Sequence, residues 1–141
     1  MKVTIIGGGN MGMCLAGVIS RLQDYDVTLC ASHPQSFGDT IDVVDDELGI
    51  TYRSGLFKTT DCIEEAVRDA DFIYCTYPEF LRQKFIECAE NSVKRGAILG
   101  FIPAYGGVEF FCGDLIDKGV IIFGLQKPPY VCRTKERGKV A

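Results

Sequence analysis

Three glycines near the start of the chain, Gly7, Gly9 and Gly12, have the spacing of a turn that binds a dinucleotide. They follow a short β-branched apolar run and precede a segment whose apolar residues recur at three- and four-residue steps. In such a strand–turn–helix unit the first glycine permits a tight turn, the second lets the backbone approach a pyrophosphate, and the third lets the helix pack close to the strand. The free amides around Asn10 and Met11 would face the phosphates at the positive end of the helix dipole. The motif therefore predicts dinucleotide binding.

The position that separates NAD from NADP holds no carboxylate. In dinucleotide-binding folds an Asp or Glu at the end of the second strand binds the ribose 2′-hydroxyl of NAD. Here the second predicted strand is followed by Ala31, Ser32 and His33. Ser32 can donate a hydrogen bond to a phosphate, and His33 can donate one or carry a charge beside it. The sequence therefore favours NADP, but no arginine follows directly, so NAD remains the alternative.

Two later strand ends predict the rest of the cofactor site. Ligands of open parallel sheets bind at the carboxyl ends of strands, where the strand order reverses. Each of these two strands is stopped by a proline. The residues are Thr76, Tyr77 and Pro78 after one strand, and Ile102, Pro103 and Ala104 after the other. We expect both groups to flank the ribose and nicotinamide of the cofactor.

The elements that must position these residues alternate along the chain. Predicted strands cover residues 3–6, 26–30, 72–76, 97–102 and 120–123, predicted helices cover 10–22, 62–67, 80–92 and 107–118, and a hairpin is predicted between 41–44 and 50–53. Residues 60 and 61 offer a cap for the second helix. Alternating strands and helices, with continuous apolar runs in the strands, predict an α/β fold whose parallel sheet is covered on both faces. We therefore expect a single Rossmann-type, doubly wound domain over residues 1–141.

Composition excludes several classes of protein. The chain has 141 residues, 47% of them apolar, and a net charge of −4, which indicates one globular domain and argues against disorder and against nucleic acid as a partner. No apolar run approaches the ~20 residues that span a membrane. The seven cysteines form no C-x-x-C pair, and a single histidine cannot complete a zinc site. We expect no bound metal, and reduced thiols in a cytoplasmic protein.

The end of the chain, residues 125–141, is predicted to be a strand and loop extension. Residues 130–134 have the pattern of a strand, 135–138 that of a turn, and 139–141 that of a return strand that has only begun. A strand that opens within the last three residues predicts truncation before a second domain.

Four segments together resemble the amino-terminal domain of the octopine/nopaline (opine) dehydrogenases: MKVTIIGGGNMG, DADFIYCTYPEF, GFIPAYGGVEF and GLQKPPYVCRT. The resemblance implies an NAD(P)-binding domain, followed in that family by a helical domain that supplies a catalytic His–Asp pair. It implies an enzyme that joins an amino acid to a 2-oxo acid through an imine reduced by the nicotinamide hydride. No counterpart of the helical domain exists here, and His33 lies in the cofactor loop, so the catalytic residues stay unassigned.

Two residues of the last segment are candidates for substrate binding. Tyr130 and Arg133 would lie beside the cleft, where Arg133 can bind a substrate carboxylate through a bidentate pair. Apolar surface left exposed where a second domain would dock also predicts a homodimer.

Two other functions remain open. The glycine turn suits a ketopantoate or glycerol-phosphate type reductase equally well, although the Pro-Tyr-x-Cys-Arg segment favours the opine type. A free-standing module that senses dinucleotides, like those that regulate potassium channels, fits the length and topology. Such modules usually keep the acid after the second strand, from which Ala31 departs.

Overall fold

A computed structural model describes residues 1–129, 131–136 and 139–141 of the chain. Its strands are β1 (Lys2–Ile6), β2 (Asp26–Cys30), β3 (Asp42–Asp45), β4 (Ile50–Arg53), β5 (Lys58–Thr60), β6 (Phe72–Cys75), β7 (Ile98–Phe101), β8 (Ile121–Gly124), β9 (Thr134–Glu136) and β10 (Lys139–Val140). Its α-helices are α1 (Asn10–Ile19), α2 (Ile63–Arg68), α3 (Glu79–Ala89) and α4 (Gly113–Asp117), and 3₁₀ turns cover Pro34–Ser36 and Val108–Phe111.

The larger sheet is parallel, with the order β5-β2-β1-β6-β7-β8. From β1 the chain builds outward through β2 and β5, and then crosses back to add β6, β7 and β8 on the other side. The order therefore reverses between β1 and β6, and the carboxyl ends of these two strands border the crevice in which such sheets bind ligands. The predicted Rossmann-type α/β fold is confirmed.

Both faces of this sheet are covered. Ile5 and Ile6 are each fully buried, yet they belong to separate core clusters, because successive strand residues point to opposite faces. The Ile6 cluster contains residues of α2, α3 and α4, whereas the Ile5 cluster contains residues of α1 and of β3. The continuous apolar runs of the strands follow from this two-sided burial.

A second, smaller sheet was not predicted as a unit. It has the order β4-β3-β10-β9. The predicted hairpin of β3 with β4 is confirmed by antiparallel pairing in which Asp42 faces Arg53. The predicted return strand is also present, but β10 pairs with β3 as well as with β9. This sheet packs on α1 at Gly17, where an added Cβ would lie 2.5 Å from Cγ2 of Val43.

Several local predictions are wrong. Residues 107–118 do not form one helix, because the segment breaks at Cys112, whose φ of −107° and ψ of 12° are not helical, before Gly113, a weak helix former. The helix predicted from residue 62 begins at Ile63, with Cys62 rather than residues 60 and 61 as its N-cap. Strand β5 was missed because it has three residues and no apolar pattern.

The terminal extension also differs from its prediction. The strand expected at residues 130–134 begins only at Thr134, and Lys135, expected in a turn, belongs to β9. Tyr130 and residues 137 and 138 lie outside the described residues. Cys132 and Val140 are buried in the Ile5 cluster, which also contains residues of α1, so the described part of the extension packs on the domain.

Candidate functional site

The glycine turn joins β1 to α1 at the crevice. Gly7 has a φ of +110°, a region that only glycine adopts without strain, and its amide donates to the Cys30 carbonyl at 2.9 Å. A Cβ on Gly12 would lie 1.7 Å from the Gly7 carbonyl oxygen. A Cβ on Gly9, in contrast, would have no atom within 4 Å. Two glycines are therefore required by packing, and the middle one faces open space that a ligand can enter.

The start of α1 presents backbone amides to that space. The first intrahelical bond runs from the Met13 amide to the Gly9 carbonyl at 2.9 Å, so the amides of Asn10, Met11 and Gly12 precede it and have no acceptor within the helix. The Asn10 side chain is engaged elsewhere, because its Oδ1 accepts from the amide and the hydroxyl of Thr134 at 2.9 and 2.8 Å. An anion at this turn would be bound by these backbone amides.

The end of β6 packs directly against the turn. The Thr76 hydroxyl donates to the Ile6 carbonyl at 2.9 Å. A Cβ on Gly7 would lie 2.6 Å from this hydroxyl oxygen and 3.2 Å from Cδ1 of Tyr77. Pro78 follows as the N-cap of α3. The structure thus brings Thr76 and Tyr77 into contact with the glycine turn, 70 residues away in the chain.

The end of β7 lies one strand further along. The Ile102 amide donates to the Cys75 carbonyl at 3.0 Å, and the Ala104 amide donates to the Leu125 carbonyl at 2.7 Å. Pro103 lies between them after a cis peptide bond. The Ile102 side chain is buried in the core, so this residue can offer a ligand only its backbone.

Arg82 joins these two strand ends, and sequence reasoning missed it. Its side chain is buried, its Nε donates to the Tyr77 carbonyl at 3.1 Å, and its Nη2 donates to the Pro103 carbonyl. Its guanidinium carbon lies 5.7 Å from the centre of the Phe101 ring. In the sequence Arg82 is one of several charges on a helix with an apolar stripe, and nothing in that pattern signals burial.

The end of β2 is less open than the sequence suggests. Ala31 is buried, and its amide donates to the Thr60 carbonyl at 2.9 Å, whereas Ser32 and His33 are exposed. Phe37, which sequence reasoning also missed, packs over the turn: a Cβ on Gly8 would lie 2.7 Å from its Cζ.

Carboxylates reach the end of β2 from neighbouring segments. Burial, and after it the charges of Cys62, Asp61 and Glu64, raises the pKa of the Cys30 thiol to about 12. Asp61 follows β5, the neighbour of β2 in the sheet, so its charge acts on the end of β2 from an adjacent strand.

The candidate substrate residue Arg133 is exposed, and its Nη1 donates to the Cys132 carbonyl at 3.2 Å. Its neighbour Thr134 is bonded to Asn10, so the structure brings this segment to the start of α1. Tyr130, the other candidate, lies outside the described residues.

The buried thiols of Cys14 and Cys75 are poor nucleophiles. All seven cysteines are free, and burial raises the pKa of Cys14 and of Cys75 to about 12. These two thiols therefore stay protonated at neutral pH.

Within the described ranges no group of three His, Cys, Asp or Glu residues could hold a metal ion, and no helix is both long and apolar enough to cross a membrane. The arrangement at the crevice is suited to binding a phosphate-containing ligand.

Known proteins share this sequence and this fold. No family model matches the chain. It is 29% identical to a tauropine dehydrogenase of Arabella iricolor over 97% of its length, and 24% identical to an opine dehydrogenase of Haliotis discus hannai over 98%. The chain spans 38% and 39% of these two relatives.

Among solved structures, octopine dehydrogenase with NADH and L-arginine superimposes over 99% of the chain, with a TM-score of 0.88 and 26% identity. A ketopantoate reductase of Ralstonia eutropha matches with a TM-score of 0.69 and 18% identity, which shows the fold alone. The resemblance carried by the four sequence segments is confirmed over nearly the whole chain.

Proposed function

We propose that this chain, which corresponds to the amino-terminal domain of opine dehydrogenases, binds a nicotinamide dinucleotide in the crevice between β1 and β6. The glycine turn carries the proposal: Gly7 and Gly12 are fixed by packing, while an added Cβ at Gly9 meets no atom within 4 Å. That open position suits close approach of a pyrophosphate to the backbone.

Different parts of the crevice bind different parts of the cofactor. The free amides of Asn10, Met11 and Gly12 bind the phosphates, and the positive end of the α1 dipole adds to the attraction. The segments after β6 and β7 hold the nicotinamide half, because both leave the sheet at the same edge as the turn. A bound nicotinamide would supply the hydride, with which the complete protein would reduce the imine formed between an amino acid and a 2-oxo acid.

The proposal is tested by titrating the purified chain with NADH while following ligand fluorescence or heat. We expect saturable binding and negligible turnover with L-arginine and pyruvate, since exclusion of water from the hydride needs a lid or a second domain. Absence of binding by both NADH and NADPH at millimolar concentration would contradict it.

The choice between the cofactors is a finer part of the proposal. The absence of a carboxylate at Ala31 and the exposure of Ser32 and His33 support acceptance of the 2′-phosphate of NADP. Against it stand the NADH in the octopine dehydrogenase structure and the charge of Asp61 beside Cys30. We propose that NADPH binds at least as tightly as NADH; a dissociation constant measurably higher for NADPH than for NADH would contradict this.

Placing an acid in the loop after β2 tests the same point. The change Ser32→Asp is expected to weaken NADPH binding at least about tenfold and to leave NADH binding nearly unchanged, because a carboxylate repels the 2′-phosphate but can accept from a ribose hydroxyl. Parallel titrations with the two cofactors measure the ratio of NADPH affinity to NADH affinity. Gln35→Glu, which adds an acid at another exposed position of the loop, is the control and should not change it.

The substrate side of the proposal rests on Arg133 and on the relatives. Octopine dehydrogenase has been solved with L-arginine and with pyruvate. In the complete enzyme we expect Arg133→Ala to raise the Michaelis constant of the 2-oxo acid about tenfold, through loss of a carboxylate partner. Steady-state kinetics measure this. Lys127→Ala removes another exposed cation and serves as the control; equal effects of the two changes would remove Arg133 from the site.

A ketopantoate reductase type is disfavoured by the lower similarity of its solved members, and a substrate panel on the complete enzyme would distinguish it from the opine type.

Large exposed apolar side chains, including Phe110 at 84% and Val131 at 92%, support self-association, which sedimentation would detect. Free thiols at all seven cysteines support a reducing, cytoplasmic location. A dinucleotide sensor, the third function considered, would bind the cofactor but show no dehydrogenase activity as the complete protein.

A further inference from the structure

Arg82 is a buried cation without a counter-ion. It is 4% exposed, and within the described residues no carboxylate lies within salt-bridge distance of it. A buried arginine is costly unless its donors are satisfied. Two of its nitrogens have backbone acceptors, but Nη1 is buried and has no hydrogen-bond partner among the described atoms. A methionine or leucine would fill the same volume without this cost, so packing alone does not account for an arginine here.

The two acceptors of Arg82 define what it holds. The Tyr77 carbonyl belongs to the segment that follows β6, and the Pro103 carbonyl belongs to the segment that follows β7. Both residues lie beyond the last ladder pairs of their strands, which join Cys75 to Phe101. Within the strands, β6 and β7 are joined by the hydrogen bonds of the sheet. Beyond the strands, the planar guanidinium of Arg82 joins the two segments that follow them, and its rigid fork fixes the distance between these segments.

Among the described residues the Arg82 charge faces two carbonyls and the Phe101 ring, but no carboxylate. Arg82 is the fourth residue of α3, close to the positive end of the helix dipole, where a cation is unfavourable. The ring of Tyr77, whose carbonyl it binds, lies against the glycine turn.

We infer that Arg82 is a positioning residue for the nicotinamide half of the cofactor: by binding the carbonyls of Tyr77 and Pro103 it holds the two segments that flank the nicotinamide. This inference rests on the proposed function, but it assigns a role to a residue that lies outside the glycine turn and does not itself line the phosphate site.

The test separates the two halves of the cofactor. In the 141-residue chain, Arg82→Met should weaken NADH binding at least tenfold, because both connections are lost. Binding of ADP, which engages the glycine turn but has no nicotinamide half, should weaken less than threefold. Titration with both ligands gives the ratio of the NADH affinity loss to the ADP affinity loss, and circular dichroism verifies folding. If Arg82→Met does not yield folded protein, Arg82→Lys keeps the charge without the fork, and it should weaken NADH binding about threefold while leaving ADP binding unchanged.

Ile86→Ala is the matched control. Ile86 is a buried residue of the same helix that packs in the core, so its truncation should lower the melting temperature and leave the NADH-to-ADP ratio unchanged. Equal weakening of both ligands by the Arg82 variants, no weakening at all, or the same ratio change in Ile86→Ala would overturn the assignment. A wild-type chain that binds neither ligand would contradict the proposed function itself.

Discussion

Replacing Gly12 by alanine is expected to destabilise the domain and to abolish NADH binding. The new Cβ would lie 1.7 Å from the Gly7 carbonyl oxygen and 2.9 Å from its carbonyl carbon. Both are backbone atoms of the turn, so no side chain can move aside, and α1 must shift away from β1. Overpacking of this kind costs about 3 kcal/mol of unfolding free energy. Because the shift also displaces the amides of Asn10 and Met11, NADH affinity should fall below detection. Denaturant unfolding and NADH titration measure the two effects.

Gly113→Ala is the matched control for this change. An added Cβ at Gly113, the first residue of α4, has no atom within 4 Å, and the backbone there needs no positive φ. This change should leave stability unchanged or raise it slightly, since alanine is the better helix former. If Gly12→Ala unfolds like the control and still binds NADH, the turn does not have the close packing that places a phosphate at the helix start.

Replacing Gly9 by alanine is expected to weaken NADH binding without destabilising the domain. Gly9 has a φ of −77° and a ψ of −173°, which alanine adopts without strain, and its added Cβ has no atom within 4 Å. The free energy of unfolding should therefore change by less than about 0.5 kcal/mol. NADH affinity should fall at least tenfold, because the methyl group occupies the space through which the pyrophosphate approaches the backbone. Gly9→Val should have a larger effect of the same kind.

The comparison of these two glycine variants locates the ligand. Gly12→Ala is expected to affect both unfolding and binding, whereas Gly9→Ala is expected to affect binding alone. Unchanged NADH affinity in both Gly9 variants would place the pyrophosphate away from the turn and would contradict the proposed site.

Sequence patterns were sufficient where the physical cause is local. The turn at Gly7, Gly9 and Gly12 is set by backbone conformation and close packing between consecutive elements, both of which the spacing of glycines reveals. Continuous β-branched runs between amphipathic stripes indicated strands buried on both faces, and hence the parallel sheet. The hairpin of β3 with β4 depends on a short connection and was predicted for the same reason.

Tertiary structure alone decided the features that join distant segments. The bond from Thr134 to Asn10 spans 124 residues, and β10 pairs with β3 across nearly 100 residues, so neither leaves a periodic signal. The Asp61 charge reaches the end of β2 from an adjacent strand, and the burial of Arg82 depends on carbonyls of two separate loops. Residue type and spacing along this chain are sufficient to predict the kind of ligand proposed for it, because that prediction depends on one turn. Which side chains surround the ligand depends on the packing of strands far apart in sequence, and only the folded chain brings those strands together.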